Sequence, residues 1–353
     1  MRRPSSLRAG GVLAGSALAL ALLAPLLASE APYLARVDGR LCAPILERSS
    51  LFRWAGCGAG TPRDWRDLRR RQTGGIVLDA PIPFSPEAAD LETILQPPGR
   101  VHYLGTDSLG RDVAARVLLG FPVALLIAGL ATLLSLGVGT LLGSMAGASG
   151  GWLDLAIQRL VDLMSCFPTL ILAMALAAAA RRPGLASLVL AIGLTRWTGI
   201  ARLLRAEVVR QQVQAYCDAA KAVGVSRVRL LVRHLLPNAL APVLVTAAFS
   251  LSQALLLEAG LSFLGVGVAP GTASWGGILA EAQRLVTPAW WMVLFPSAAL
   301  FLTVLGCNLT AEGMREWFDP RAPRPATEAS ALLRDAILPR LLGPVKGRVG
   351  ERQ

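Results

Sequence analysis

Across 37 consecutive residues, 117–153, this chain carries no charged side chain. About 20 apolar residues are enough for a helix to cross the hydrocarbon core of a bilayer. Inside lipid every backbone N–H and C=O must find a partner within the protein, which leaves the helix or the closed barrel. Several further apolar runs of helical length follow, and only 16% of the residues are charged, against about 25% in soluble domains. The chain therefore reads as an all-α polytopic membrane protein. Its formal charge of +12 lies largely in segments flanking the apolar runs, where Lys and Arg set orientation. That placement argues against a nucleic-acid-binding face.

Six membrane-spanning helices are expected. The first occupies 9–29, behind Arg2, Arg3 and Arg8. Its apolar stretch is longer than the roughly 7–15 residues of a secretory signal, and the small-residue site before Pro32 is a poor place for cleavage. It is read as an uncleaved span within an N-terminal unit, 1–29. An extracytoplasmic segment, 30–116, separates it from a five-helix core, 117–311, and a cytoplasmic tail, 312–353. In the core the spans are placed at 118–146, 163–180, 185–204, 238–265 and 288–310, with an amphipathic approach at 152–162. Gly129, Gly137, Gly139, Gly143 and Gly147 are small enough to let neighbouring helices approach closely. The 201–236 segment holds seven Lys/Arg against Glu207 and Asp218, which places it in the cytoplasm, together with both termini.

The segment 30–116 is rich in Pro, Gly, Arg and Asp without sustained periodicity, and is expected to be irregular. Cys42 and Cys57 fall there, in a compartment where they can pair. Cys166, Cys217 and Cys307 are read as inert thiols. At its end stands His102-Tyr-Leu-Gly-Thr-Asp107-Ser-Leu-Gly-Arg111-Asp112. Asp107 or Ser108 suits an N-cap, with Asp112 in the first turn of the following helix. No ligand spacing supports a metal or phosphate site.

The cytoplasmic loop, 206–237, reads as helix, glycine, helix. Residues 218–223 favour helix, Gly224 suits the left-handed position that ends it, and Ser226 can cap a second helix carrying Val228, Leu231 and Leu235. Pro237 is expected to stop that helix. Tyr216-Cys-Asp218-Ala219-Ala220, then Gly224, then His234-Leu-Leu236-Pro237-Asn238, resembles the "EAA" loop of ABC-type importer permeases, with aspartate in place of the usual glutamate. The 102–112 motif, the Glu258-Ala-Gly-Leu-Ser-Phe-Leu-Gly265 run and Trp317-Phe-Asp-Pro-Arg321 resemble the dipeptide/oligopeptide branch of that family, which also includes nickel importers. The resemblance covers roughly 102–321. It implies a permease subunit of an ATP-driven importer of di- or oligopeptides in the bacterial inner membrane. A second related permease subunit, two cytoplasmic ATPase subunits and an external solute-binding protein would complete it. It also implies that Tyr216, Asp218, Ala219, Ala220, Gly224, Leu236 and Pro237 form the ATPase-coupling loop. Nickel or another small solute is the alternative cargo.

Two intramembrane charges stand apart, Glu258 and Arg196. An ionisable group at that depth is costly unless it meets a partner, a cavity or water. Glu258 either lines the path and meets a charged group of the substrate, or pins helices by pairing with Arg196 or with backbone amides at Gly265–Gly267; the structural reading is preferred. The glycine-rich stretch 265–277 lacks the Lys and Ser/Thr of a phosphate cradle. Trp275, Trp290 and Trp291 read as interfacial anchors. No catalytic, metal or cofactor centre is expected: the two histidines, His102 and His234, fall on opposite sides of the membrane, and no Walker sequence is present. A stand-alone membrane protein or membrane-embedded enzyme is the weaker alternative.

Overall fold

The computed structural model describes residues 5–37, 40–44, 77–180, 184–269 and 271–318. Its helices are α1 (Ser5–Leu27), α2 (Val113–Ser149), α3 (Gly151–Ser165), α4 (Thr169–Ala178), α5 (Leu185–Gln212), α6 (Ala215–Ala222), α7 (Arg227–Leu230), α8 (Leu236–Phe263), α9 (Trp275–Ala282) and α10 (Trp291–Phe318), with a π turn at Leu231–Leu235. Among the described residues five helices are long and apolar enough to cross a membrane, or six if α3 and α4 together make one span.

That pair corrects the expected third span at 163–180. The chain bends by 88° between α3 and α4, at Cys166-Phe167-Pro168. Proline disfavours helix in the residue before it and cannot donate to the preceding turn. Ten residues of α4 make about 15 Å of helix, half a hydrocarbon core, so α4 alone does not cross it. Asp154 of α3 is clamped by Arg205 of α5 through two hydrogen bonds of 2.5 and 2.6 Å.

The outer segment is also more ordered than expected. β1 (Leu34–Val37) pairs antiparallel with β2 (Arg40–Cys42) and with β3 (Val77–Leu78), in the register Ala35↔Cys42 and Leu34↔Leu78. This small sheet gives otherwise unpaired backbone groups their partners. Cys57 lies outside the described residues, and with it the expected pairing to Cys42.

The core forms where α2 and α5 run side by side. A Cβ on Gly139 would come within 2.7 Å of Ile200, on Gly143 within 2.6 Å of the Ala201 carbonyl oxygen, and on Gly147 within 2.9 Å of Val208. Three glycines at four-residue spacing thus bring the two helices close enough to touch along their backbones. Gly129 and Gly137, by contrast, meet nothing within 4 Å. Around this seam, Ile127, Ala131, Leu188, Ile192, Leu255 and Leu261 are buried in one cluster. α1 packs against α10 by the same device, with Gly10, Gly306 and Gly313 at the crossing. Trp275 and Trp291 are wholly buried, which corrects their reading as interfacial anchors; each indole N–H needs an acceptor and finds one, Val117 O and Thr106 O, both at 3.0 Å. Trp290 remains half exposed.

Gly143→Val is expected to force the helices apart and to cost roughly 1–3 kcal/mol, the usual penalty for overpacking. Gly129→Val should be neutral. Thermal unfolding of the purified protein in detergent measures both, and equal midpoints would show that the α2–α5 seam does not hold the fold.

Candidate functional site

The loop at 206–237 is built around one left-handed residue. Gly224 has φ +82°, and its amide donates to Lys221 O at 2.9 Å while that of Val225 donates to Ala220 O at 3.1 Å. This pair of bonds is the Schellman closure of α6, and a glycine adopts its backbone without steric cost. Val225, the next residue, turns inward and packs with Ala220 against a cluster of Cys217, Leu230, Leu235, Leu204 and Val208. The Cys217 thiol also bonds to Gln211 O at 3.2 Å. The loop is therefore seated on the inner ends of α5 and α8, with a small apolar core of its own.

The expected site residues divide into two sets. Ala220 and Leu236 face that core. Tyr216, Asp218, Ala219 and Gly224 face outward, and Gly224 has nothing within 4 Å of where a Cβ would stand. The Tyr216 hydroxyl donates to Gln211 Oε1 at 2.9 Å, and Lys221 pairs with Asp218 at 3.1 Å within the same helix. Beside them Val213, Val223 and Val228 are 77%, 85% and 73% exposed. These bare apolar side chains surround a turn with no side chain at its apex.

Two local expectations fail. Ser226 has the extended backbone of an N-cap, but its side chain makes no capping bond. Pro237 does not stop the helix. It lies in the first turn of α8, where a missing N–H is tolerated, and the preceding π turn runs without interruption from α7 into α8. The Asn238 side chain donates to His234 O at 2.9 Å across that junction. α7, the π turn and α8 therefore form a single arm, so the loop is mechanically continuous with a membrane span.

At the opposite end of the molecule, the 102–116 segment organises a charge cluster that the sequence reading missed. Asp112, not Asp107 or Ser108, is the N-cap of α2, accepting from Ala115 N at 2.7 Å, and its other oxygen meets His102 Nδ1 at 2.9 Å. Burial pushes the Asp112 carboxyl upward, against the cap bond and the His102 contact, which pull it down. Asp107 is fully buried. It accepts from the backbone of Leu109 and Arg111 and from the guanidinium groups of Arg111 and Arg116. Both arginines also grip Glu281 of α9, with four N···O distances of 2.8–2.9 Å. Burial works against the Arg111 charge, but Asp107 and Glu281 outweigh it and hold its proton more tightly than usual. Two positive and two negative groups, joined across 165 residues, fasten α9 to the start of α2. The i,i+4 and i,i+9 spacing of Asp107, Arg111 and Arg116 was visible in the sequence; their partner on α9 was not.

Glu258 pairs neither with Arg196 nor with the Gly265–Gly267 amides. Its side chain is fully buried in α8, Oε1 accepts from Ser262 at 2.8 Å one turn on, and Oε2 has no partner. Arg196 instead donates to Gln253 of α8. The two charges expected to neutralise each other are thus held apart, each with a neutral neighbour.

The sequence pattern of a family described as "Binding-protein-dependent transport system inner membrane component" matches residues 139–324. The chain is 39% identical over 239 residues to a protein of Brucella suis biovar 1 (strain 1330) named as a peptide transport system permease, covering 67% of this chain and 79% of that one. It is 40% identical over 238 residues, 67% of this chain and 79% of the relative, to the Escherichia coli (strain K12) protein named "Probable D,D-dipeptide transport system permease protein DdpC". It is 36% identical over 248 residues, 70% of this chain and 81% of the relative, to the dipeptide transport system permease protein DppC of Alkalihalophilus pseudofirmus. A solved amino acid ABC transporter chain aligns with a TM-score of 0.47 at 17% identity, over 57% of this chain and 94% of its own length.

Removing one partner from a buried charge cluster strands the rest, typically at about 3–5 kcal/mol. Asp107→Asn should show a loss of that size in thermal unfolding. Glu281→Gln, whose side chain is 32% exposed, should lose much less. Equal losses would mean that burial does not set the strength of the cluster.

Proposed function

Given that the chain belongs to the family of inner membrane components of binding-protein-dependent transport systems, we propose that it is the permease subunit of an ATP-driven importer of short peptides. The observation that carries this reading is the cytoplasmic loop: a rigid helical knob with bare valines and an open glycine apex, joined without a break to a membrane span. The family supports a partner ATPase and an external binding protein in general. The finer assembly proposed is a related second permease subunit, two cytoplasmic ATP-binding subunits and one extracytoplasmic solute-binding protein. Peptide cargo is supported by the names of the relatives. Orientation with both termini in the cytoplasm is supported by the seven Lys/Arg of 201–236.

In this reading the ATPase supplies the energy and this chain supplies a lever. Closure of the ATPase pair on ATP draws the outward residues of α6, Tyr216, Asp218 and Ala219, toward the cytoplasmic midline. Ala220, Cys217 and Val225 key α6 to the inner ends of α5 and α8, so displacement of the loop turns both spans together. An ATP-bound ATPase biases the equilibrium between inward and outward states only through contacts that differ between them. Those contacts are placed on the exposed face of α6 and the Gly224 turn. Leu236 and Pro237 complete the arm by carrying the motion into α8.

Gly224→Asp is the test. Aspartate adopts the left-handed conformation with less strain than most residues, and its Cβ would meet nothing within 4 Å, so folding should survive. The charge and bulk would instead meet the docked ATPase. In co-expression the variant should reach the membrane at the wild-type level yet lose ATPase co-purification and transport. Full recovery of the ATPase with the variant would remove the loop from the coupling role.

A further inference from the structure

Arg196 sits about 17 Å along α5 from its outer end, counting eleven residues at 1.5 Å each, in the middle of a membrane span. A guanidinium at that depth is normally matched by a carboxylate, by water or by a functional ligand. Among the described residues none of the ion pairs includes Arg196. Its single hydrogen-bond partner is the neutral side-chain oxygen of Gln253 on α8, and its Nε is buried with no acceptor at all. The remaining intramembrane acid, Glu258, is committed to Ser262. Buried donors without acceptors are rare in native proteins. Here one belongs to a side chain with five fixed N–H donors, laid out to grip a carboxylate.

The position of Arg196 gives the unfilled donor a context. On α5, residues 196, 199, 203, 207 and 210 follow the three- and four-residue spacing of one helical face. Gly199 on that face is exposed, with nothing within 4 Å of where a Cβ would stand. On α8, Asn238, Pro242, Thr246 and Gln253 lie along one face by the same rule. The two faces and the end of α10 border a cavity of about 480 Å³, lined by Leu203, Glu207 and Arg210 of α5, by Asn238 and Thr246 of α8 and by Arg315 of α10. Arg196 and Gln253 meet beyond its lining, about 10 Å past Leu203 and Thr246 on the same faces, seven residues at 1.5 Å each. The α5–α8 faces thus carry a part polar, part apolar cavity with an unmatched cation beyond one end of it.

We infer that Arg196, held by Gln253, is a binding site for the carboxylate of the transported solute, and that the α5–α8 seam receives the rest of that solute on its way inward. For a peptide cargo the group is the C-terminal carboxylate. This identification rests on the peptide reading above; the anion preference at Arg196 does not. Gln253 orients the guanidinium through one terminal nitrogen and leaves other donors for a charge-assisted pair. The neutral partner matters: a carboxylate in its place would already occupy the site and would repel an anionic ligand.

The test uses the assembled transporter, purified with its partner subunits and without the binding protein, so that delivery does not impose its own selectivity. Equilibrium binding of dialanine and of dialanine amide is measured for the wild type, Arg196→Gln and Arg196→Lys. The wild type should prefer the free carboxylate by roughly ten- to a hundredfold, the worth of one or two charge-assisted hydrogen bonds. Arg196→Gln should remove that preference while still binding the amide and retaining the ATPase, and Arg196→Lys should keep part of it. No preference in the wild type, or an equal loss of both ligands in Arg196→Gln, overturns the assignment. The peptide reading is tested separately by ATP-dependent uptake of dialanine into proteoliposomes with the binding protein restored. Absence of uptake with the carboxylate preference intact would sink the cargo and spare the site; uptake without the preference would do the reverse.

Discussion

The rest of the fold depends on two long helices lying closer together than side chains normally permit. Gly139, Gly143 and Gly147 place α2 against Ile200, Ala201 and Val208 of α5. In lipid there is little hydrophobic gain from bringing one apolar helix to another, so close van der Waals packing has to supply the association. Once α2 and α5 are fixed, α8 and α10 have a surface to pack on, and α1 closes against α10 through glycines of its own. The same seam determines the working parts. α5 continues past the packed region to Gln212 and supports the 215–235 loop, so one helix connects Arg196 to that loop.

Charge is distributed by a different logic at each level. On the outer side the Asp107, Arg111, Arg116 and Glu281 cluster is internally neutral and fully bonded, which suits a fixed joint. In the middle, Glu258 and Arg196 are each left with a single neutral partner and an orphaned atom. At the loop end of the molecule some pairs join α3 to α5, as in Arg205–Asp154, while the exposed Lys221–Asp218 pair lies within one helix, where it contributes little to stability. Saturated charges hold the structure together, and unsaturated ones lie where the structure has to respond to something else.

Much of this was legible in the sequence because bilayers impose simple rules. Uncharged runs mark the five long apolar helices, and a lone glycine between helix-forming segments marks a turn that does adopt the left-handed backbone. The errors have physical causes. The third span was drawn as one helix because its hydropathy is continuous, but Pro168 breaks it. Pro237 was taken as a stop because proline ends helices more often than it begins them, and a π turn absorbs it here. Trp275 and Trp291 were placed at the interface by residue type, although each has a carbonyl 3.0 Å from its indole nitrogen inside the protein. Glu258 was matched with Arg196 because opposite charges invite pairing, a contact that depends on helix rotation and that periodicity alone does not supply. The Glu281 partner was hidden for the same reason: nothing local to residue 281 points to residue 116.

That last separation bears on how the protein is made. Arg111 and Arg116 leave the ribosome 170 and 165 residues before Glu281, the second acid that binds them. Before α9 is made, Asp107 is the one acid of the cluster available to the two arginines, and the second arrives with α9. A chain ending before residue 281 would keep Asp107 but lack the second acid, the one that joins α9 to the start of α2.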